Sequence, residues 1–134
     1  MRILVADDEH RLLDAYRICL ENHVDNDREL DALGDALFGT STNTAQPGQP
    51  VFSVDYVDQG ETAIAAVQAA MEQGAPYAVL FLDMRMPPGI DGKETARQIR
   101  RLDPNINIVI VTGYSDHSPL DVALVAGPQD KLYY

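Results

Sequence analysis

Apolar residues in this chain fall into two kinds of run. Residues 2–6 (RILVA), 79–82 (VLFL) and 106–111 (INIVIV) are short and nearly continuous in apolar and β-branched side chains, apart from Arg2 at the start of the first and Asn107 in the last. Such runs predict central parallel strands covered on both faces. Residues 51–57 alternate instead, with Phe52, Val54 and Tyr56 on one side and Ser53 and Asp55 on the other, which predicts an edge or half-exposed strand. Between these runs the spacing changes to three and four. Leu12, Leu13, Tyr16, Cys19 and Leu20 form one helical stripe, and Ile64, Val67 and Met71 with several alanines form a second, closed by Gly74-Ala75-Pro76. A third has Ala96, Ile99 and Leu102 facing inward and Lys93, Arg97, Arg100 and Arg101 facing water. Asp91 with Glu94 three residues on has the form of a capping box for that helix, and Pro104 prevents its continuation. Ser118-Pro119 with Asp121 starts a further short helix that ends near Gly127, and residues 131–134 are expected to begin one more strand. Strands and helices in this alternation imply a parallel sheet with right-handed crossovers, a doubly wound α/β fold.

Residues 22–50 interrupt the pattern. Leu30, Leu33, Ala36 and Leu37 predict a short amphipathic helix over 27–38, with Asp27, Glu29, Asp31 and Asp35 on its other face and Gly39 at its end. The following GTSTNTAQPGQP has the composition of a flexible loop. We read 22–50 as a surface insertion within one domain spanning 1–134, since 134 residues suffice for a single core and not for two. The charge narrows the partners. Ten basic residues against 21 acidic ones give a formal charge of −11, which argues against unassisted binding to nucleic acid or an anionic membrane. No run approaches the ~20 apolar residues of a membrane span, and the lone Cys19 fits a reducing compartment, so the cytoplasm is the expected location.

If all strands run parallel, their carboxyl ends share one rim, the place where open α/β sheets bind ligands. That rim carries Asp7 and Asp8 after the first strand, Asp83 after the third, and Thr112 and Gly113 after the fourth. Each has a plain structural role in isolation: a helix cap, a strand end, a turn. Three carboxylates converging on one point repel one another and call for a cation, and oxygen-only ligands select a hard ion such as Mg²⁺. A carboxylate beside Mg²⁺ can act as a nucleophile toward a phosphoryl group. The Thr112 hydroxyl and loop N–H groups would hold the phosphoryl oxygens, and Gly113 leaves room for entry.

In LVADDE, FLDMRMPPGIDG and IVIVTGYSD, taken in this order and spacing, the chain resembles the receiver domain of two-component response regulators. The resemblance implies a flavodoxin-like sheet of order 2-1-3-4-5. It implies that Asp83 accepts a phosphoryl group from a histidine kinase or a histidine phosphotransfer protein. Asp8 and Asp83 would be carboxylate ligands to Mg²⁺, the Arg85 main-chain carbonyl a third, and Asp7 would help through water. Gly113 and Met84 would flank phosphoryl access, Thr112 would be the switch hydroxyl, and Tyr133 or Tyr134 the rotating aromatic. Such a domain is not an enzyme beyond accepting and slowly hydrolysing its own aspartyl phosphate, and it switches an output domain elsewhere in a longer chain.

Two departures stand out. The loop MPPGIDG is one residue longer than the family's, and the family's lysine at the carboxyl end of the fifth strand has no counterpart in place. Lys131 falls where that strand begins, ~10 Å short at ~3.3 Å per residue, so the lysine is expected beyond Tyr134. The family's last helix is also missing, which predicts a partly bare sheet face and self-association into a homodimer. Two other classes compete: a phosphorylation-independent pseudo-receiver that only binds partners, and a Mg²⁺-dependent aspartate-nucleophile phosphatase, whose first strand ordinarily carries D-x-D rather than the adjacent Asp7-Asp8.

Overall fold

The computed structural model describes residues 1–21, 52–111, 123 and 127–133. The insertion and the acidic helix expected in it, Thr112, Gly113, nearly all of the helix expected from Ser118 to near Gly127, and Tyr134 lie outside the described residues. Within them run β1 (Arg2–Ala6), α1 (His10–Glu21), β2 (Ser53–Val57), α2 (Gly60–Glu72), β3 (Val79–Asp83), α3 (Gly92–Leu102), β4 (Asn107–Val111) and β5 (Leu132–Tyr133), the last preceded by a 3₁₀ turn at Gln129–Lys131. The five strands form one sheet in the order β2-β1-β3-β4-β5, every neighbouring pair parallel. The expected order and the edge position of β2 are therefore observed.

Strand alternation sends side chains to two different environments. Leu4 and Ala6 of β1, Leu80 and Leu82 of β3 and Ile108 and Ile110 of β4 enter the main core, where Ala63, Val67 and Ala70 of α2 and Ala96 and Ile99 of α3 meet them. Ile3 and Val5 point the other way and meet Leu13 of α1, with Tyr16, Leu20, Val54, Tyr56, Val79 and Phe81 only partly covered around them. Among the described residues, the α1 side of the sheet is the thinner layer.

Three helix faces differ from their periodicity. In α1, Leu12 and Cys19 are exposed and the buried line runs through Leu13. In α2 the buried stripe is Gly60, Ala63, Val67 and Ala70, while Met71 is exposed; alanines let this helix approach the sheet closely, and the longer side chain is left outside. In α3, Leu102 is partly exposed and Arg100, expected on the wet face, is buried. The Arg100 guanidinium donates to the carbonyls of Pro104 at 2.8 Å, Ile106 at 2.7 Å and Lys131 at 3.2 Å. It thereby satisfies main-chain acceptors that the end of α3 and the starts of β4 and β5 leave open.

Helix ends follow local chemistry. Gly74 takes a positive φ of 67° just beyond α2, and the Ala75 N–H reaches back to the Ala70 carbonyl at 2.9 Å, the expected glycine stop. The Asp91 side chain accepts from Glu94 N–H at 2.8 Å and caps α3. The Glu94 carboxylate is instead engaged with Arg97 and Gln98.

Candidate functional site

The pairing register decides which acids meet. Ala6 stands opposite Leu82 in the β1–β3 pair, and Asp83 stands opposite Val111 in β3–β4. Asp7 and Asp83 consequently leave adjacent central strands at the same level of the carboxyl rim. One carboxylate oxygen from each of Asp7, Asp8 and Asp83 lies within 4.8 Å of the others. Asp7 is 2% exposed, whereas Asp8 and Asp83 are half-buried. The Asp7 carboxylate accepts from Glu9 N–H at 2.9 Å and so also organises the entry to α1. Asp83 accepts from Met84 N–H at 2.7 Å.

Electrostatics at this rim are unfavourable for three carboxylates alone. Burial pushes the Asp83 carboxyl above its ordinary value, and the charges of Asp7 and Asp8 add to that, against the lowering effect of the Arg85 and Met84 amides. Burial likewise raises Asp7, opposed by the Glu9 amide and assisted by Asp8 and Glu9. The neighbouring charges acting on both are thus of their own sign. Tyr16 of α1 shares this field: burial, then Asp7 and Asp83, push its phenol upward, and its ring rests 5.6 Å from that of Phe81. An all-oxygen, mutually repelling donor set fits a hard divalent cation and suits Mg²⁺, which takes few protein ligands and retains water.

The loop from Met84 to Asp91 is closed at its base by a hydrogen bond from Gly92 N–H to the Met84 carbonyl at 3.1 Å. Gly92 has no room for a side chain, since a Cβ there would stand 2.4 Å from the Asp83 carbonyl oxygen and 2.7 Å from the Met84 Cα. The Met84 side chain, expected at the mouth of the site, is instead buried in the main core together with Met86. Strand alternation, continued one residue past Asp83, turns it inward, so Met84 faces the site through its N–H alone. Arg85, whose carbonyl the resemblance makes a ligand, follows in the same loop with its side chain exposed.

At the other edge, Leu132 pairs with Ile108 and Tyr133 with Val109, so Lys131 precedes the level of Ile108, at the opposite end of the sheet from Asp83. Lys131 is held in the 3₁₀ turn and not in the strand, as far from the rim as the sequence implied. Tyr133 is 50% exposed and donates its hydroxyl to the Asp130 carbonyl at 3.0 Å. Sequence reasoning missed Gly92 as a steric requirement. It also missed Gln59 and Glu61, which precede and open α2 and reach across to the loop; nothing in their spacing distinguishes them from ordinary helix-start residues.

Sheet order, parallel pairing and an acidic rim between the two central strands define a doubly wound domain of the receiver type. The chain matches the response regulator receiver domain family over residues 35–133, and it belongs to that family. Asp7 and Asp8 precede the matched stretch and are brought to it by β1. A two-component response regulator from Oryza sativa subsp. japonica is 34% identical over 76 residues, which are 57% of this chain and 59% of the relative. The chain thus spans about three fifths of that relative's length. Among solved structures, a CheY-like receiver domain from Methanospirillum hungatei aligns with a TM-score of 0.63 at 20% identity, over 98% of this chain and 78% of the other. A receiver protein from Sinorhizobium medicae gives 0.58 at 27%, over 99% and 78%. The regulator TrrA from Thermotoga maritima, solved in complex with Mg²⁺-BeF, gives 0.57 at 24%, over 98% and 84%.

Proposed function

We propose that the domain is a phosphorylation-dependent switch in which Asp83 accepts a phosphoryl group from a histidine kinase or a histidine phosphotransfer protein and so controls an output domain. The observation that carries this reading is the meeting of three carboxylates from two adjacent strands within 4.8 Å. The Asp83 carboxylate is the nucleophile, oriented by the Arg85 and Met84 amides. Asp8, Asp83 and the Arg85 carbonyl would hold Mg²⁺, with Asp7 assisting through water. That ion supplies neutralisation of the charge on the phosphoryl oxygens. Thr112 is the hydroxyl that moves toward the phosphoryl group, Gly113 leaves it room, and Tyr133 or Tyr134 is the aromatic that follows. Chemical turnover is limited to the domain's own aspartyl phosphate, and the expected location is the cytoplasm. Among the described residues no helix is long and apolar enough to cross a membrane.

Intact mass after incubation with acetyl phosphate and Mg²⁺ tests the reading. Wild type is expected to gain one phosphoryl group and Asp83→Asn none. Equal labelling of both would refute Asp83 as the acceptor, and absence of labelling in both would leave the phosphorylation-independent interaction module as the better account.

A further inference from the structure

The acceptor loop is held at its far end by side chains from another part of the chain. The Gln59 carboxamide spans the loop: its Nε2 donates to the Pro87 carbonyl at 3.2 Å and its Oε1 accepts from Gly89 N–H at 3.2 Å. Glu61 Oε1 accepts from Ile90 N–H at 3.1 Å. Three main-chain groups in four consecutive residues are thus bound by two side chains flanking Gly60. The fit is close. A Cβ on Gly89 would lie 2.4 Å from Glu61 Oε2 and 2.7 Å from Gln59 Oε1, and one on Gly60 would lie 2.2 Å from Thr95 Oγ1 and 2.8 Å from Ile90 Cγ1. Two glycines, one on each partner, let the β2–α2 corner seat against the loop and the start of α3.

We propose that Gln59 and Glu61 are positioning residues for the phosphoacceptor site. By holding main chain 87–90 they fix the short stretch 84–86 that joins the clamped segment to Asp83. Gly92 pins one end of the loop to Met84, and the β2–α2 corner pins the other. The Arg85 carbonyl lies between the two anchors, and the Met84 N–H that holds the Asp83 carboxylate belongs to the residue at the first anchor. This inference rests on the proposed role of the rim. Partners bonded directly to metal ligands are worth ~10–100-fold in metal binding, and Gln59 and Glu61, bonded to the adjoining main chain, are expected at the low end of that range.

The test compares wild type with Gln59→Ala, Glu61→Ala, the double variant, and Glu61→Gln, which keeps an oxygen for the Ile90 N–H. Amide hydrogen exchange in metal-free protein, Mg²⁺ affinity by titration calorimetry, and phosphorylation by acetyl phosphate at saturating Mg²⁺ are the readouts. In the double variant, exchange at Met84 is expected to accelerate and Mg²⁺ affinity to fall about tenfold. The rate at saturating Mg²⁺ should fall by a smaller factor than the Mg²⁺ affinity, and Glu61→Gln should keep wild-type Met84 exchange and Mg²⁺ affinity. Acceleration confined to Gly89 and Ile90, with Met84 exchange and Mg²⁺ affinity unchanged, would overturn the inference. If wild type itself neither binds Mg²⁺ nor accepts a phosphoryl group, the reading of the site fails, and Met84 exchange in metal-free protein still decides whether the clamp positions the loop.

Discussion

Gly92→Ala should damage the site and the fold together, in amounts the geometry sets. The added Cβ would stand 2.4 Å from the Asp83 carbonyl oxygen, 2.7 Å from the Met84 Cα and 3.0 Å from the Met84 sulfur, where ordinary contact begins at 3.4 Å. The sulfur can swing aside, but the first two atoms are main chain at the end of β3, and Asp83 is paired with Val111 of β4. Relief therefore requires about 1 Å of movement between α3 and the acceptor itself. Overpacking of this kind costs ~1–3 kcal/mol. Weakening of the Gly92 N–H to Met84 carbonyl bond adds ~1 kcal/mol, and the better helix propensity of alanine returns up to ~1 kcal/mol. A net loss of ~1–3 kcal/mol is expected from urea unfolding. A displacement of ~1 Å at a reacting group can cost ~10²-fold in rate, so phosphorylation by acetyl phosphate should fall by one to two orders of magnitude. Gly74→Ala is the control. It also loses stability, because Gly74 has a φ of 67°, but no atom lies within 4 Å of its Cβ, and phosphorylation should be unchanged. Wild-type stability and labelling rate in Gly92→Ala would refute the steric argument.

Three further perturbations have defined outcomes. Arg100→Met leaves the carbonyls of Pro104, Ile106 and Lys131 without their charged donor; unfolding free energy should drop by ~2–4 kcal/mol, with amide exchange at Leu132 and Tyr133 rising first. At the amino end of the sheet, Tyr77 donates to Asp55 Oδ2 at 2.6 Å and Arg2 bonds the same oxygen at 2.7 Å. Burial, then the Asp55 bond, pushes the Tyr77 phenol up to about 12, while the Tyr77 and Arg2 bonds lower Asp55. The folded state thus holds the Tyr77 proton more tightly than the unfolded chain, so its contribution is complete below pH ~10 and is lost as pH rises through about 12. The Asp55 contribution is present above its ordinary range and is lost as pH falls through the lowered value. In Tyr77→Phe the stability gap to wild type should narrow between pH 10 and 11; a gap independent of pH would refute the linkage. Finally, Asp8→Ala removes one of three like charges, so metal-free stability should hold or rise slightly. Mg²⁺ should stabilise wild type by ~2.7 kcal/mol at a hundred times its dissociation constant and the variant far less, measured as a shift in melting temperature.

Much of this architecture was legible without a structure because it rests on one-dimensional signals. Continuous β-branched runs mark strands with both faces covered, 3.6-residue spacing marks helices, and an alternating run marks the edge strand β2. Parallel strands must end on one rim, so acids that follow two strands converge there, and Asp7, Asp8 and Asp83 were recoverable on that ground. Helix faces made of alanine were not, since a small residue takes its place from how closely a neighbour approaches; this is why Met71 lies outside the stripe to which it was assigned. Arg100 reads as a solvated charge until the open carbonyls around it are seen.

Local pattern alone thus sufficed for the order and type of the described elements, the rim of the sheet where the acids gather, and Asp83 as the candidate acceptor. Packing in three dimensions was needed for the pairing register that sets Asp7 level with Asp83, the close approach of main chain at Gly92, and the reach of Gln59 and Glu61 across to the loop. These three share one cause. Each depends on a contact between residues distant in the chain, and periodicity carries information only about neighbours within a turn or a strand.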